Sequence, residues 1–209
     1  MFTILPIKGY IDQIDGFFCD GIHAGLKPNG NNDLGFIYTK EACTVAAIFT
    51  ENRFQAAPLK HFLAYEEGFK TNFVLINSKN ANALTGRKGI EDINTLFSKL
   101  NFDLINPIMS STGVIGNRLP IEKLVTGALK FDLTAKSGEN LSRAIMTTDA
   151  YPKTCLYEVK LEDGSSFKIG AVAKGAGMIN PNLATMLCFI CTDADVPYKD
   201  IKEALNKNK

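Results

Sequence analysis

The sequence predicts a mixed α/β fold (α+β in its mixing of elements) of layered sheets covered by helices, because its hydrophobic pattern switches between the two regular periods. Short apolar runs closed by polar residues mark strands at 34–38, 43–50 and 73–77. Apolar residues at helical spacing mark two amphipathic helices, at 90–100 and 120–131. After Thr154 the period changes again and gives a β-hairpin.

Each element has its own signal. The run 43–50 is nearly all apolar, so that strand is expected to be buried on both faces. The run 73–77 reads FVLIN, a short core strand with a polar end. In 90–100, Ile90, Ile93, Leu96, Phe97 and Leu100 fall on one helix face. In 120–131, Pro120 stands near a first turn and Ile121, Leu124, Val125, Ala128 and Leu129 repeat behind it. The hairpin joins 155–160 to 166–173 through Glu162, Asp163, Gly164 and Ser165. A loop, KGAGMINPNLA, then leads to an apolar run, TMLCFICTDA, and to a helix expected from Pro197.

The chain has 209 residues, 45% of them hydrophobic, enough to bury one sizeable core or two small ones. Its formal net charge of +1 gives no reason to expect nucleic acid or an acidic membrane surface as partner. No run approaches the roughly 20 apolar residues of a membrane span. The opening MFTILPIKGY is too short an apolar stretch for a secretion signal, and Pro6 and Lys8 interrupt it. Five scattered cysteines, an odd set, argue for reduced thiols, so a soluble, cytoplasmic protein is expected.

The two histidines, His23 and His61, lie far along the chain from the polar loops, so a nucleophile here is expected to work without a histidine base. Cys188 and Cys191 form a C-x-x-C, but no second pair or nearby histidine completes a metal set. Inside an apolar strand they point to opposite faces and read as buried structural thiols. Gly175, Ala176 and Gly177 make only part of a phosphate loop. No metal or organic cofactor is expected.

Four polar clusters remain, at 77–86 (NSKNANALTG), 110–116 (SSTGVIG), 146–153 (MTTDAYPK) and 174–193 (KGAGMINPNLATMLCFICTD), each at the end of a predicted buried element. One such loop is commonly just a turn; four in one chain point to a site. In the last cluster, Pro181 breaks regular structure, and small Ala184 then precedes Thr185 at the head of an apolar strand. A taut turn there can hold the Thr185 hydroxyl against the Ala184 carbonyl, giving an N-to-O acyl shift and an ester that water opens. The freed Thr185 amine can then act as base for its own hydroxyl. The plain alternative is that Thr185 merely starts a strand.

Together, DGIHAGLKPNGNNDLGFIYT, NSKNANALTG, SSTGVIG, AIMTTDAYPK and AKGAGMINPNLATMLCFICTDA resemble, in order, segments of the ornithine acetyltransferase family, the bifunctional glutamate N-acetyltransferases of arginine biosynthesis. The resemblance runs from about Gly21 to Asp195. It implies a fold of the self-cleaving, N-terminal-threonine type, with 1–184 as the α-chain region and 185–209 as the start of a truncated β-chain region. It implies cleavage between Ala184 and Thr185, Thr185 as nucleophile, Thr112 and Gly113 as oxyanion hole, and Thr147, Lys174 and Thr185 as substrate-binding positions. The implied reaction is ping-pong: N-acetylornithine acetylates Thr185 and leaves as ornithine, and glutamate then takes the acetyl group. Some members also accept acetyl-CoA as donor. The family further implies an α/β heterotetramer with two copies of each subunit.

The sequence departs from the family in two places. Lys79 stands where a glycine is expected, at a position suited to positive φ or close approach. Family members are also about twice as long, so a truncated chain is expected to expose apolar surface and to be inactive without the missing part. Two other readings fit: a self-processing hydrolase of the aminopeptidase type, and an inactive fragment that needs its second half.

Overall fold

A computed structural model describes residues 2–175 and 186–208. Its strands are β1 (Phe2–Pro6), β2 (Phe17–Ile22), β3 (Leu34–Thr44), β4 (Lys70–Asn77), β5 (Ile108–Ser111), β6 (Lys153–Leu161), β7 (Ser166–Lys174) and β8 (Leu187–Thr192). Its helices are α1 (Ala57–Phe62), α2 (Gly86–Ser98), α3 (Ile121–Ala128), α4 (Gly138–Ala144) and α5 (Tyr198–Lys207). The strands form two four-stranded sheets, ordered β1-β6-β7-β8 and β2-β3-β4-β5. Every pairing is antiparallel except β4 with β5, which run parallel with α2 as the crossover between them.

Strand alternation builds two cores from the central strands β3 and β4. Leu34, Phe36, Phe73 and Leu75 point to one side, where Ile93 and Leu96 of α2 and Leu124, Val125 and Ala128 of α3 meet them. Ile37 and Ile76 point to the other side, where they meet Leu156, Val172 and Cys191 of the first sheet and Leu141 and Ile145 at α4. Complete burial of one such side chain, Phe73 for example, contributes about 1.5–3 kcal/mol. The layers are therefore helices, second sheet and first sheet, with α4 against β2. Gly21 permits that approach, since a Cβ there would overlap the Asn140 carbonyl and the Ala144 side chain. The outer face of the first sheet leaves Phe2, Ile4, Tyr157, Leu161 and Ile190 exposed. Among the described residues, no helix is long and apolar enough to cross a membrane.

The predicted strands at 34–38 and 73–77, the hairpin, the strand of the TMLCFICTDA run and the three predicted helices are present. The run 43–50 is not a buried strand. Only Cys43 and Thr44 extend β3, beyond a register shift, and residues 45–50 form no strand and are half-buried. The reason is the partner: β4 begins at Lys70 opposite Thr44, so the next residues have no strand to pair with. The C-x-x-C reading also needs correction. The two thiols do take opposite faces of β8, but only Cys191 is buried, and burial pushes its pKa up; Cys188 is exposed.

Candidate active site

The parallel pair sets the stage. β4 and β5 end level, with Asn77 opposite Ser111, and the loops leaving these carboxyl ends are the first two polar clusters. Loops at the carboxyl ends of parallel strands are where α/β sheets hold ligands. The two loops are laced backbone to backbone. Thr112 N–H donates to Asn77 O, Val114 N–H to Lys79 O, Ala81 N–H to Val114 O and Gly116 N–H to Ala83 O, all at 2.9–3.0 Å. Gly113, at φ +134°, lies so close that a Cβ would overlap the Lys79 backbone. Lys79 itself sits at φ +80°, the positive φ that a glycine was expected to supply.

The third cluster joins through α4. The Ala144 carbonyl near the end of that helix accepts the buried Ser78 hydroxyl at 2.6 Å and Lys27 Nζ at 3.4 Å. Burial lowers the Lys27 pKa against the pull of Asp33 and Asp149. Five residues beyond Ala144, the Asp149 side chain is 1% exposed. It accepts Thr147 N–H at 3.2 Å, Gly175 N–H at 2.7 Å and Lys153 Nζ at 2.7 Å. Burial alone would raise its pKa; the bonds from Lys153, Gly175 and Thr147 outweigh that and hold it at about 2.

The fourth cluster closes the circuit. Lys174, the last residue of β7, is 4% exposed and donates from Nζ to Thr112 Oγ1 at 2.9 Å. That bond bridges the two sheets. Burial lowers the Lys174 pKa while Asp149 raises it. Thr112 and Gly113 present donors with nothing to receive them: among the described residues, neither the Thr112 hydroxyl proton nor the Gly113 N–H has an acceptor. Ser111 Oγ is also buried without a partner among those residues, the kind of polar exception that functional sites keep. Across the ladder Lys174 pairs with Leu187, and a Cβ on Gly175 would lie 3.4 Å from Met186.

Of the predicted site residues, Thr112, Gly113, Thr147 and Lys174 thus fall on one ring of hydrogen bonds lining one open cleft. Ala184 and Thr185 lie outside the described residues. The histidines stay apart: His23 bonds Asn31 O beside Asp33, and His61 packs on the rings of Tyr65 and Phe97. Among the described residues no set of three His, Cys, Asp or Glu could hold a metal ion. Sequence reasoning missed Asp149, Ser78 and Lys27 as ring members. For Asp149 a signal existed, since an aspartate two residues after Thr147 is the pattern of a side chain bonding nearby backbone.

A family model described as the ArgJ family matches residues 18–209. The chain belongs to that family. A relative from Wolinella succinogenes, named arginine biosynthesis bifunctional protein ArgJ, is 53% identical over 99% of this chain and 53% of its own length. A relative from Methanothermobacter thermautotrophicus, named glutamate N-acetyltransferase, is 38% identical over 95% of this chain and 50% of its own. This chain therefore spans about half the length of the curated relatives it matches. Among solved structures, the ArgJ crystal structure from Bacillus halodurans matches with a TM-score of 0.79 and 34% identity, over 89% of this chain and 99% of that one. The ornithine acetyltransferase from Mycobacterium tuberculosis, complexed with ornithine, matches with a TM-score of 0.69 and 30% identity, over 84% of this chain and 97% of that one.

Proposed function

We propose that this chain carries the nucleophile of a cytoplasmic acetyltransferase that moves the acetyl group of N-acetylornithine to glutamate through an acetyl-Thr185 intermediate. The observation that carries the reading is the adjacent pair of unaccepted donors, Thr112 O–H and Gly113 N–H, set beside buried Lys174 at the foot of the segment that leads to Thr185. Two adjacent donors fit an oxygen that becomes negative in the transition state, and each is worth about 3–4 kcal/mol there. The Thr185 hydroxyl attacks the acetyl carbonyl and passes its proton to the Thr185 amine. The carbonyl electron pair moves onto oxygen between the two donors. It then returns as the C–N bond to ornithine breaks and the departing nitrogen takes the proton. Glutamate reverses these steps, and Thr147 and Lys174 serve as binding positions.

The free amine requires prior cleavage between Ala184 and Thr185. The proposal is supported by lengths: a solved chain of the family is matched almost end to end by 89% of this chain, whereas the curated relatives run to about twice its length. A separate polypeptide of about the 1–184 size is what such processing makes. The exposed apolar face of the first sheet supports a covering second subunit, in an α/β heterotetramer with two copies of each. The relatives' names, with their glutamate acetyltransferase and ornithine-bound members, support the substrate pair, and the word bifunctional supports acetyl-CoA as a further donor.

The test uses the complete gene product that contains this chain. Mass spectrometry is expected to find a fragment beginning at Thr185 and, after N-acetylornithine, an acetyl group on it; glutamate then yields N-acetylglutamate. A Thr185→Ala protein that keeps full transfer overturns the proposal. Acetate released without N-acetylglutamate would make the protein a hydrolase.

A further inference from the structure

We propose that Asn80 is a positioning residue that aims the two oxyanion donors, by clipping together both ends of the loop that carries them. The inference rests on the functional reading above and extends it from the donors to what holds them. Gly113 N–H belongs to the peptide between Thr112 and Gly113, and among the described residues that N–H has no acceptor. Its direction is therefore set by the peptides on either side. On one side Thr112 N–H donates to Asn77 O at 3.0 Å, and on the other Val114 N–H donates to Lys79 O at 2.9 Å. Both acceptors lie in 77–82, so whatever fixes that segment aims Gly113 N–H. The outer side of the loop offers no such hold, since Val114 and Ile115 are exposed.

Asn80 is buried and joins all the parts. Its main chain bridges Thr112 and Val114, the two neighbours of Gly113. Its carbonyl accepts Asn77 Nδ2 at 2.9 Å and its Oδ1 accepts Asn82 N–H at 2.8 Å, which locks the 77–82 turn. Its Nδ2 reaches the far end of the donor loop, donating to Asn117 O at 3.2 Å and to Arg118 O at 2.9 Å. That end is anchored in turn, because the Arg118 guanidinium donates twice to the buried Asp92 carboxylate of α2. The amide thus spends both N–H groups and its oxygen. No other side chain of that length supplies two donors and an acceptor. Without them, two carbonyls and one N–H lose their partner, and the loop is held at one end only.

The test assays the complete gene product with N-acetylornithine and with p-nitrophenyl acetate, counting kcat per Thr185 terminus found by mass spectrometry. Asn80→Ala is expected to lower kcat about ten- to a hundredfold on both donors with KM little changed, the loss that misplaced groups give. Asn80→Asp keeps the size and the acceptor and removes only the two donors, so it is expected to lose about as much; it carries the same measurements should Asn80→Ala fail to fold. In a Thr112→Val background, where one aimed donor is already gone, Asn80→Ala is expected to cost at most about half as much on a logarithmic scale. Amide exchange gives a readout independent of turnover and of cleavage: Val114 and Ala81 are expected to exchange about tenfold faster or more in Asn80→Ala, with Leu75 in the core unchanged. Unchanged exchange at Val114 and Ala81, a raised KM confined to N-acetylornithine, or equal losses in both backgrounds overturns the inference while acetyl-Thr185 still forms. A wild-type protein that acetylates Thr185 from neither donor overturns the functional reading, and the aiming of oxyanion donors with it.

Discussion

The core beneath the second sheet and the ring of loops at its end are both buried, yet they hold together by opposite means. In the core, Phe73 lies with its ring centre 6.2–6.5 Å from those of Phe36, Phe97 and Phe102, and burial of apolar area supplies the stability. Such contacts are non-directional, and neighbouring side chains can shift to share a loss. In the ring, the links are hydrogen bonds of set direction, among them Ser78 O–H to Ala144 O, Gly175 N–H to Asp149 and Lys174 Nζ to Thr112 Oγ1. Removing one partner strands a buried polar atom at a cost of about 1–3 kcal/mol. The first region therefore sets whether the protein folds, and the second sets where its donors point.

The largest effect should come from the core. Phe73→Ala is expected to cost about 3–5 kcal/mol in urea unfolding, the transfer term plus the cavity left among three aromatic rings. Its molecules that remain folded should keep the Thr112–Lys174 geometry, so activity per folded molecule should hold. A loss of activity beyond the unfolded fraction would break the division between the two regions.

The ring should answer to acid where the core does not. Asp149 is held at about 2 in the folded protein, below its ordinary 3.8. A depressed folded pKa gives stability that is full above about pH 5 and is lost as pH falls through 4 towards 2. The difference corresponds to about 2 kcal/mol. Unfolding free energies of wild type and Asp149→Asn, taken from urea curves, should thus differ by about that amount at pH 7 and converge near pH 2. A gap that stays constant with pH would mean that the carboxylate's charge is not what fastens Thr147 to Gly175.

These contrasts also explain what could be read from sequence. The hairpin and α2 were legible because their periods run for two or more turns or pairs, with Gly164 in the turn and Ile90, Ile93, Leu96 and Phe97 at helical spacing. β5 was not, since four residues, IMSS, carry no period, and β1 is an exposed edge with no buried face to betray it. α4 hides similarly in GENLSRA, seven residues with one large apolar side chain. For the site, each polar cluster was visible as a break at the end of an apolar run. Their closure into a ring was not, because Lys174 reaches Thr112 across 62 residues and Ser78 reaches Ala144 across 66. No local pattern encodes such a bond.

The smallest expected effect is a gain, and it sits where the two regions meet. Lys79 adopts φ +80°, a region where an L side chain costs roughly 1–2 kcal/mol and glycine costs nothing. Its carbonyl receives Val114 N–H at 2.9 Å and its backbone lies against Gly113, so the lacing of the first two loops holds the strained angle in place. Lys79→Gly removes that strain but also loosens the unfolded chain, which takes back about 0.5–1 kcal/mol. The net expected is a stabilisation of roughly 0.5–1 kcal/mol, seen as a higher urea midpoint at unchanged slope. Turnover should hold or rise slightly, because Gly113 keeps the backbone it packs against. A lower midpoint would mean that the Lys79 side chain, and not only its backbone, supports the 110–116 loop.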